Sequence, residues 1–340
     1  MMKVYLEKVI SKENLSFEEA YNVMDRIMSG STNTSQLSGF LIALKAKKET
    51  PEEIAGFVKA MRDKSIRVIT DTNNLIDVCG TGGDYSGTFN ISTATSFVVA
   101  GAGARVAKHG NRSISSKCGS ADVLAELGVN INLSADDTAR ALDEVGIAFM
   151  FAPNFHPAMK YAATVRKELG IKTVFNLLGP LTNPAGTKKQ LIGVFNKDAS
   201  EMLSKAAMYL DMEKVCFINT ADKFDEISLT EPTSVYEYTK DQTGSFYQIS
   251  NETFEYPEVS IDELKGDSPV ENAAIILDLF EGRKKNSAFY VIAANAAMAL
   301  YCAGFSDNLL DCKRLAEESI LSGGALAKLN ELKSFGVKAA

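Results

Sequence analysis

Histidine is scarce in this chain: only His109 and His156 occur among 340 residues, and the five cysteines (Cys79, Cys118, Cys216, Cys302, Cys312) form no C-x-x-C pair. That pattern does not fit a structural zinc site, and a scattered, odd set of thiols fits reduced cysteines in a cytoplasmic protein. Basic charge is not in excess either. Lys and Arg number 36 against 43 Asp and Glu, a formal net charge of -7. A general polyanion-binding surface is therefore not expected, although a local basic pocket is still allowed. No apolar core follows the start Met1-Met2-Lys3-Val4-Tyr5-Leu6-Glu7-Lys8, so a signal peptide is not expected. Internal repeats, low-complexity tracts and Pro-rich linkers are also missing, which points to subdomains sharing an extensive interface. With 46% hydrophobic and 23% charged residues, disorder, collagen and disulfide scaffolds are excluded. The length suits one large domain or two smaller ones. One uncharged stretch, 287–305, is about long enough to cross a bilayer. It is rich in Ala and carries Asn295, and its expected role is a core helix buried all round.

The first 68 residues read as helices only. Ser16 and Glu19 make a capping box before the helically spaced Phe17, Ala20, Tyr21, Met24, Ile27 and Met28, and Gly30 stops that helix. A second helix is predicted from about Ser35 to Lys47. Thr50-Pro51-Glu52-Glu53 starts a third, with Thr50 as N-cap and Glu53 closing the box. From Asp71 short apolar runs alternate with helical patterns. Strands are expected at 75–79, 105–107 and 129–131, and helices at 92–103, 120–127 and 134–145. This alternation implies an α/β fold with a central mixed, mostly parallel sheet. A hairpin is expected between Val235 and Tyr256, turning at Asp241-Gln242-Thr243-Gly244, and helices after Ser268.

Chemistry concentrates at strand exits. Gly80-Thr81-Gly82-Gly83-Asp84 follows the first strand, and glycines let backbone N–H groups close around an anion. On its own this turn reads as a phosphate site or as a structural turn. Thr88-Phe89-Asn90-Ile91-Ser92-Thr93 then opens a helix, whose N-terminus offers unpaired N–H groups and a positive dipole end. Asn90, Ser92 and Thr93 can add hydrogen bonds to phosphate, or serve as an ordinary N-cap. The second strand ends at Lys108-His109-Gly110-Asn111-Arg112-Ser113-Ile114-Ser115-Ser116-Lys117, before Gly119-Ser120. No Asp or Glu lies between Tyr85 and Ala121, whereas Arg105, Lys108, Arg112 and Lys117 do. A multiply charged anion such as a pyrophosphate accounts for both loops, since unpaired buried cations are costly. Asp225-Glu226, in a loop after the strand 214–220, suits magnesium if phosphates lie nearby; alone it reads as solvated surface. His109 is either a general base or a substrate-orienting group. His156 reads as structural.

Assembled in this order and spacing, the chain resembles the anthranilate phosphoribosyltransferases over essentially its whole length. The resemblance rests on the motifs above, on Gly119-Ser120-Ala121-Asp122, on Phe155-His156-Pro157-Ala158-Met159 and on Asn176-Leu177-Leu178-Gly179-Pro180-Leu181-Thr182-Asn183-Pro184. It implies transfer of the phosphoribosyl group of phosphoribosyl pyrophosphate to anthranilate, in tryptophan biosynthesis. It further implies a helical domain of residues 1–70, joined by helices from about 165–185. An α/β domain of 71–340, interrupted by that insertion, would bind phosphoribosyl pyrophosphate. Residues implied to bind phosphoribosyl pyrophosphate are Gly80, Gly83, Asp84, Thr88, Asn90, Ile91, Ser92, Thr93, Lys108, His109, Gly110, Asn111, Arg112, Ser115, Ser116 and Ser120. Gly80, His109, Asn111 and Arg166 are the implied anthranilate contacts, and Ser92, Asp225 and Glu226 the implied ligands of magnesium, with two ions per site. Lys108, Asp84 and Arg166 are implied to align substrates and stabilise charge, with no firm general base. Arg166 facing a carboxylate also makes physical sense, because a guanidinium recognises that planar group in a bidentate way. A homodimer through the helical domain is implied, with no membrane or nucleic-acid partner. One departure stands out: many members place a glycine-containing turn before the acidic pair, where this chain has Asp222-Lys223-Phe224. The competing readings are a pyrimidine nucleoside phosphorylase of the same architecture and a non-catalytic relative that binds nucleic acid.

Overall fold

The computed structural model describes residues 2–83, 87–112, 118–240 and 242–337. Four helices come first: Met2–Ile10, Phe17–Met28, Thr34–Lys47 and Pro51–Asp63. Their starts are set by the capping boxes. Ser16 Oγ accepts from Glu19 N at 3.2 Å while Glu19 takes the Ser16 N–H at 2.9 Å. Thr50 and Glu53 repeat the exchange at 3.3 and 2.8 Å. Glu53 is buried but satisfied, because it also accepts from Leu15 N at 2.8 Å and Lys47 Nζ at 2.9 Å.

Seven strands follow: β1 Leu75–Gly80, β2 Arg105–Gly110, β3 Ile147–Phe151, β4 Lys189–Gly193, β5 Lys214–Thr220, β6 Thr233–Thr239 and β7 Gln242–Ile249. They form one sheet in the order β3-β2-β1-β4-β5-β6-β7. The first five are parallel, and β6 and β7 add antiparallel at one edge. Two expectations need correction here. The segment 129–131 is not a strand; the third position is taken by β3 instead. Val129, Ile131 and Leu133 are buried while Asn130 and Asn132 are exposed, so the alternation records one-sided burial of an extended segment without a ladder. The hairpin is real, but Gln242 to Gly244 belong to β7 and Thr239 pairs with Gln242. Asp241 lies outside the described residues.

Both faces of the sheet are covered, which is why its strands read as nearly continuous apolar runs. In β5, Cys216 and Ile218 join one core with Phe97, Phe289 and Leu329, whereas Val215 and Phe217 join another. That second core is shared with Met24 and Phe57 of the N-terminal helices and with Val165 and Phe175. The uncharged stretch forms the helix Ser287–Ala303, buried along almost its whole length. Among the described residues no single helix is long and apolar enough to cross a membrane.

Candidate active site

Strand order reverses at β1, which lies between β2 and β4. In open α/β sheets ligands bind beyond the carboxyl ends of the strands at such a reversal. Gly80, Gly110 and Gly193 are the last residues of β1, β2 and β4. The turn after β1 is fastened to its neighbours. Thr81 N donates to Gly193 O at 2.8 Å, Phe195 N to Thr81 Oγ1 at 3.1 Å, and Gly82 N to Asp225 Oδ2 at 2.9 Å. Gly82 and Gly83 take φ of +61° and +78°, in the region that favours glycine. Asp84 lies outside the described residues.

The helix Ile91–Gly101 begins beside this turn. Ser92 N donates to Glu226 Oε1 at 3.2 Å, so the helix N-terminus already faces an anionic oxygen. Lys108 Nζ stands 3.4 Å from Ser92 Oγ and donates to Val78 O at 2.7 Å. Gly80, Ser92, Lys108, Asp225 and Glu226 are thus gathered at one place. Ile91 is buried as the first residue of the helix, Thr88 bridges to Lys265, and the buried Thr93 hydroxyl finds no partner among the described residues.

The exit of β2 forms a second group. Asn90 Nδ2 donates to Cys118 O at 3.3 Å, and Ser120 Oγ donates to Asn111 O at 3.3 Å. Gly110 packs against Ser120 and the Phe149 ring. Arg112 is exposed and pairs with Asp122 at 2.8 Å. Ser115, Ser116 and Lys117 lie outside the described residues. The cations of the acid-free stretch do not all converge. Arg105 opens β2 and binds Asp143 at 2.6 Å and Thr70 at 2.9 Å. A strand rises about 3.3 Å per residue, so Arg105 lies roughly 10 Å from the level of Lys108.

Asp225 and Glu226 are held from below. Thr220 Oγ1 donates to Glu226 O at 2.7 Å, and Asn295 of the apolar helix pairs with both backbone groups of Ile227 at 3.1 and 2.8 Å. The single asparagine of that uncharged stretch is therefore a clamp on the acidic loop. The loop lacks glycine, yet Ala221 and Asp222 take φ of +53° and +56°. Asp222 compensates by accepting from Lys197 N at 2.6 Å and donating its N–H to Asn219 at 2.9 Å. Ala221 is exposed and makes no such bond among the described residues. Ala221→Gly is expected to stabilise the fold by about 0.5–1 kcal/mol, by relieving left-handed strain. Urea unfolding checks this, and a loss of stability contradicts it.

Among the described residues no three His, Cys, Asp or Glu side chains cluster as a ready metal cage. The donor set nevertheless fits magnesium. Two adjacent carboxylates and the Ser92 hydroxyl offer hard oxygen donors beside the glycine turn, and this ion takes few protein ligands and fills its shell with phosphate and water.

Arg166 occupies a separate position, on the helix Lys160–Leu169, with its guanidinium 5.2 Å from the Phe175 ring. Burial draws its pKa below the ordinary value. His109 is buried against His156, with ring centroids 5.1 Å apart. Burial, then His156, then Lys108 push the His109 pKa down to about 3, so it is a neutral imidazole near neutral pH.

The sequence reading missed the buried carboxylate beneath the site. Asp77 accepts from His109 N at 3.2 Å, Asn183 Nδ2 at 2.8 Å and Gln190 Nε2 at 3.2 Å. Burial raises its pKa, and Asn183 and the charge of Lys108 oppose the rise. An acid inside an otherwise apolar strand, Leu75-Ile76-Asp77-Val78, was the available signal.

Comparison with known proteins agrees with this architecture. Residues 72–326 match the α/β domain of a glycosyl transferase family, and residues 3–65 match its helical bundle domain. An anthranilate phosphoribosyltransferase of Moorella thermoacetica is 45% identical over 332 residues, 98% of this chain and 97% of that protein. The crystal structure of anthranilate phosphoribosyltransferase from Thermus thermophilus matches with a TM-score of 0.91 at 37% identity, over 97% of this chain and 98% of that one. The Saccharomyces cerevisiae enzyme in complex with phosphoribosyl pyrophosphate and Mg matches at 0.90 and 28% identity, over 99% and 98%. The chain belongs to the anthranilate phosphoribosyltransferases, within that glycosyl transferase family.

Proposed function

We propose that this protein transfers the phosphoribosyl group of 5-phosphoribosyl 1-pyrophosphate to the amine of anthranilate. The products are N-(5-phosphoribosyl)anthranilate and pyrophosphate, in tryptophan biosynthesis. The observation that carries the reading is the meeting of the Gly82 N–H, the Ser92 N–H, Asp225 and Glu226 at the sheet's reversal point. Carboxylate oxygens occupy the same N–H groups that a phosphate takes. A polyphosphate carrying a divalent cation uses both sets at once, the N–H groups for its oxygens and the carboxylates for its metal.

Ser92, Asp225 and Glu226 would hold magnesium, two ions per site. When bound, magnesium supplies positive charge against the departing pyrophosphate. The chain's own residues do the rest. The glycine turn, the start of the helix Ile91–Gly101 and Lys108 hold the phosphates and stabilise charge on the leaving oxygen. Arg166 takes the anthranilate carboxylate, and Asn111 and neutral His109 orient the ring. The C1–O bond to pyrophosphate breaks as the amine lone pair forms C1–N, and the amine proton passes to solvent. Alignment of the two substrates is the main contribution, and closure of the cleft limits hydrolysis.

Residues 1–70 with about 165–185 would form the helical domain, and the remainder of 71–340 the α/β domain. Val4 and Ile10 on the first helix and Ile42 on the third are exposed apolar side chains, and they support a homodimer through this layer. Five buried cysteines that form no disulfide support a cytoplasmic setting.

Loss of anthranilate fluorescence is expected only when protein, phosphoribosyl pyrophosphate and magnesium are all present. Folded protein without that loss, or phosphorolysis of thymidine or uridine in its place, overturns the reading. In the same assay Arg166→Ala is expected to raise the anthranilate KM on the order of 10- to 100-fold, the scale of a lost charge-assisted pair. Lys108→Met is expected mainly to impair use of phosphoribosyl pyrophosphate. Reversed effects refute the two pocket assignments.

A further inference from the structure

Lys172 lies outside every motif discussed so far, on the segment between the helix that carries Arg166 and the helix Phe175–Leu178. Its ammonium donates to Gly83 O at 2.7 Å. The side chain packs flat on that glycine: a Cβ added at Gly83 would stand 3.2 Å from Lys172 Cε and Nζ. Its charge lies 4.2 Å from the centroid of the Phe195 ring, just beyond β4. The backbone of Lys172 is anchored in turn, because Lys45 Nζ of the third helix donates to its carbonyl at 2.7 Å. Lys172 thus reaches from the helical layer onto the glycine turn.

The same short segment carries the amine-substrate side of the cleft. Gly170 ends the Arg166 helix, its N–H donating to Arg166 O at 3.2 Å, and Phe175 supplies the ring on which Arg166 rests. Lys172 stands between these two points in sequence. We propose that Lys172 is a positioning residue that couples the two substrate subsites. It fixes the Gly83 peptide, and so the aim of the turn's N–H groups, to the segment that orients Arg166. Anion binding at the turn then restrains the Arg166 side, and filling either subsite tightens the other. This inference rests on the assignment of Gly83 and Arg166 to the two substrates made above.

Linkage makes the coupling reciprocal and measurable. Anthranilate affinity is titrated by its fluorescence with and without magnesium pyrophosphate, an unreactive probe of the phosphate side. Wild type is expected to bind anthranilate several-fold more tightly with the probe present, within the usual range of coupling between sites. Lys172→Met is expected to bring that ratio close to one and to raise the KM for phosphoribosyl pyrophosphate about tenfold, the scale of one charge-assisted hydrogen bond. Lys172→Arg keeps the charge, the reach to a carbonyl and the stacking on Phe195, and is expected to restore the ratio to within about twofold of wild type. A purely structural residue would change melting temperature without changing the ratio. An active wild type with no coupling, or an unchanged ratio in Lys172→Met, overturns the role of Lys172. If Lys172→Met does not fold, a wild-type ratio in Lys172→Gln overturns it equally. A wild type that neither turns over nor binds magnesium pyrophosphate overturns the underlying site assignment instead.

Discussion

Gly193→Ala is expected to lower kcat/KM by at least about 100-fold, because geometry errors near 1 Å carry costs of that size. Gly193 is the last residue of β4, and a Cβ there would overlap the main-chain oxygen of Asp225 and crowd its Cβ at 3.2 Å. Neither side can yield easily. Gly193 O accepts from Thr81 N at 2.8 Å, and its strand is paired with β1 on one side and β5 on the other. The Asp225 side is fixed by the Thr220 hydroxyl on Glu226 O and by Asn295 on Ile227. The collision is therefore resolved by rotating the Asp225 peptide, which moves both carboxylates and withdraws the acceptor from Gly82 N–H. Steady-state kinetics over a magnesium titration should show the loss at every concentration, with a higher requirement for the metal. The overpacking is also expected to cost about 1–3 kcal/mol in urea unfolding. Gly103→Ala is the control. Gly103 precedes β2, at the end of that strand away from the site, and a Cβ there meets nothing within 4 Å, so strain at its φ of +100° is its only cost. A Gly193→Ala enzyme as active as Gly103→Ala would show that the position of the acidic loop is not what sets the rate.

What the sequence disclosed and what it withheld divide along physical lines. Ser16-Glu19 and Thr50-Pro51-Glu53 were legible because capping is a contract between neighbours, and both boxes form with the expected bonds. The parallel sheet was legible because strand and helix periods alternate. Residues 129–131 misled because alternating burial looks the same whether or not a partner strand is present. β3, Ile147–Phe151, is a five-residue apolar run that periodicity cannot assign. The acidic pair was legible by its place after a strand. Its supports were not, since Gly193 lies 32 residues before Asp225 and Asn295 lies 68 residues after Ile227. Arg105 was grouped with Lys108 by composition, but a strand separates its ends and sends Arg105 to Asp143. Arg166 was singled out only through the family resemblance, because a basic residue on a helix looks like solvated surface. Lys172 gave no signal at all: its meaning lies in Gly83, 89 residues earlier.

Between pH 6.5 and about 4 the protein is expected to lose several kcal/mol of stability through its two histidines alone. Burial first, then the charges of His156 and Lys108, lower His109 from 6.5 to about 3. Burial lowers His156 from 6.5 to about 4, against a hydrogen bond with the Thr182 backbone that raises it. With both folded values depressed, the unfolded chain takes up protons that the folded chain refuses. Stability contributed by the neutral imidazoles is therefore full above pH 6.5 and falls as pH drops, by about 1.4 kcal/mol per histidine per unit, until each folded value is reached. Unshifted carboxylates add their own loss below about pH 5, and Asp77, whose pKa burial raises, opposes the histidine loss where it titrates, so the histidine share is read by comparing variants between 6.5 and 5. Urea midpoints across that window should fall steeply in wild type and about half as steeply in His156→Gln. Equal slopes in the two proteins would mean that His156 is protonated in the fold. The same depression bears on the chemistry. In the proposed site a neutral His109 would add no positive charge beside the pyrophosphate at pH 7, so that work would rest on Lys108, the helix N-terminus and the metal. The pH profile of kcat/KM for phosphoribosyl pyrophosphate is accordingly expected to show no histidine break near 6.5, and such a break, lost in His109→Gln, would return His109 to the role of an acid or base.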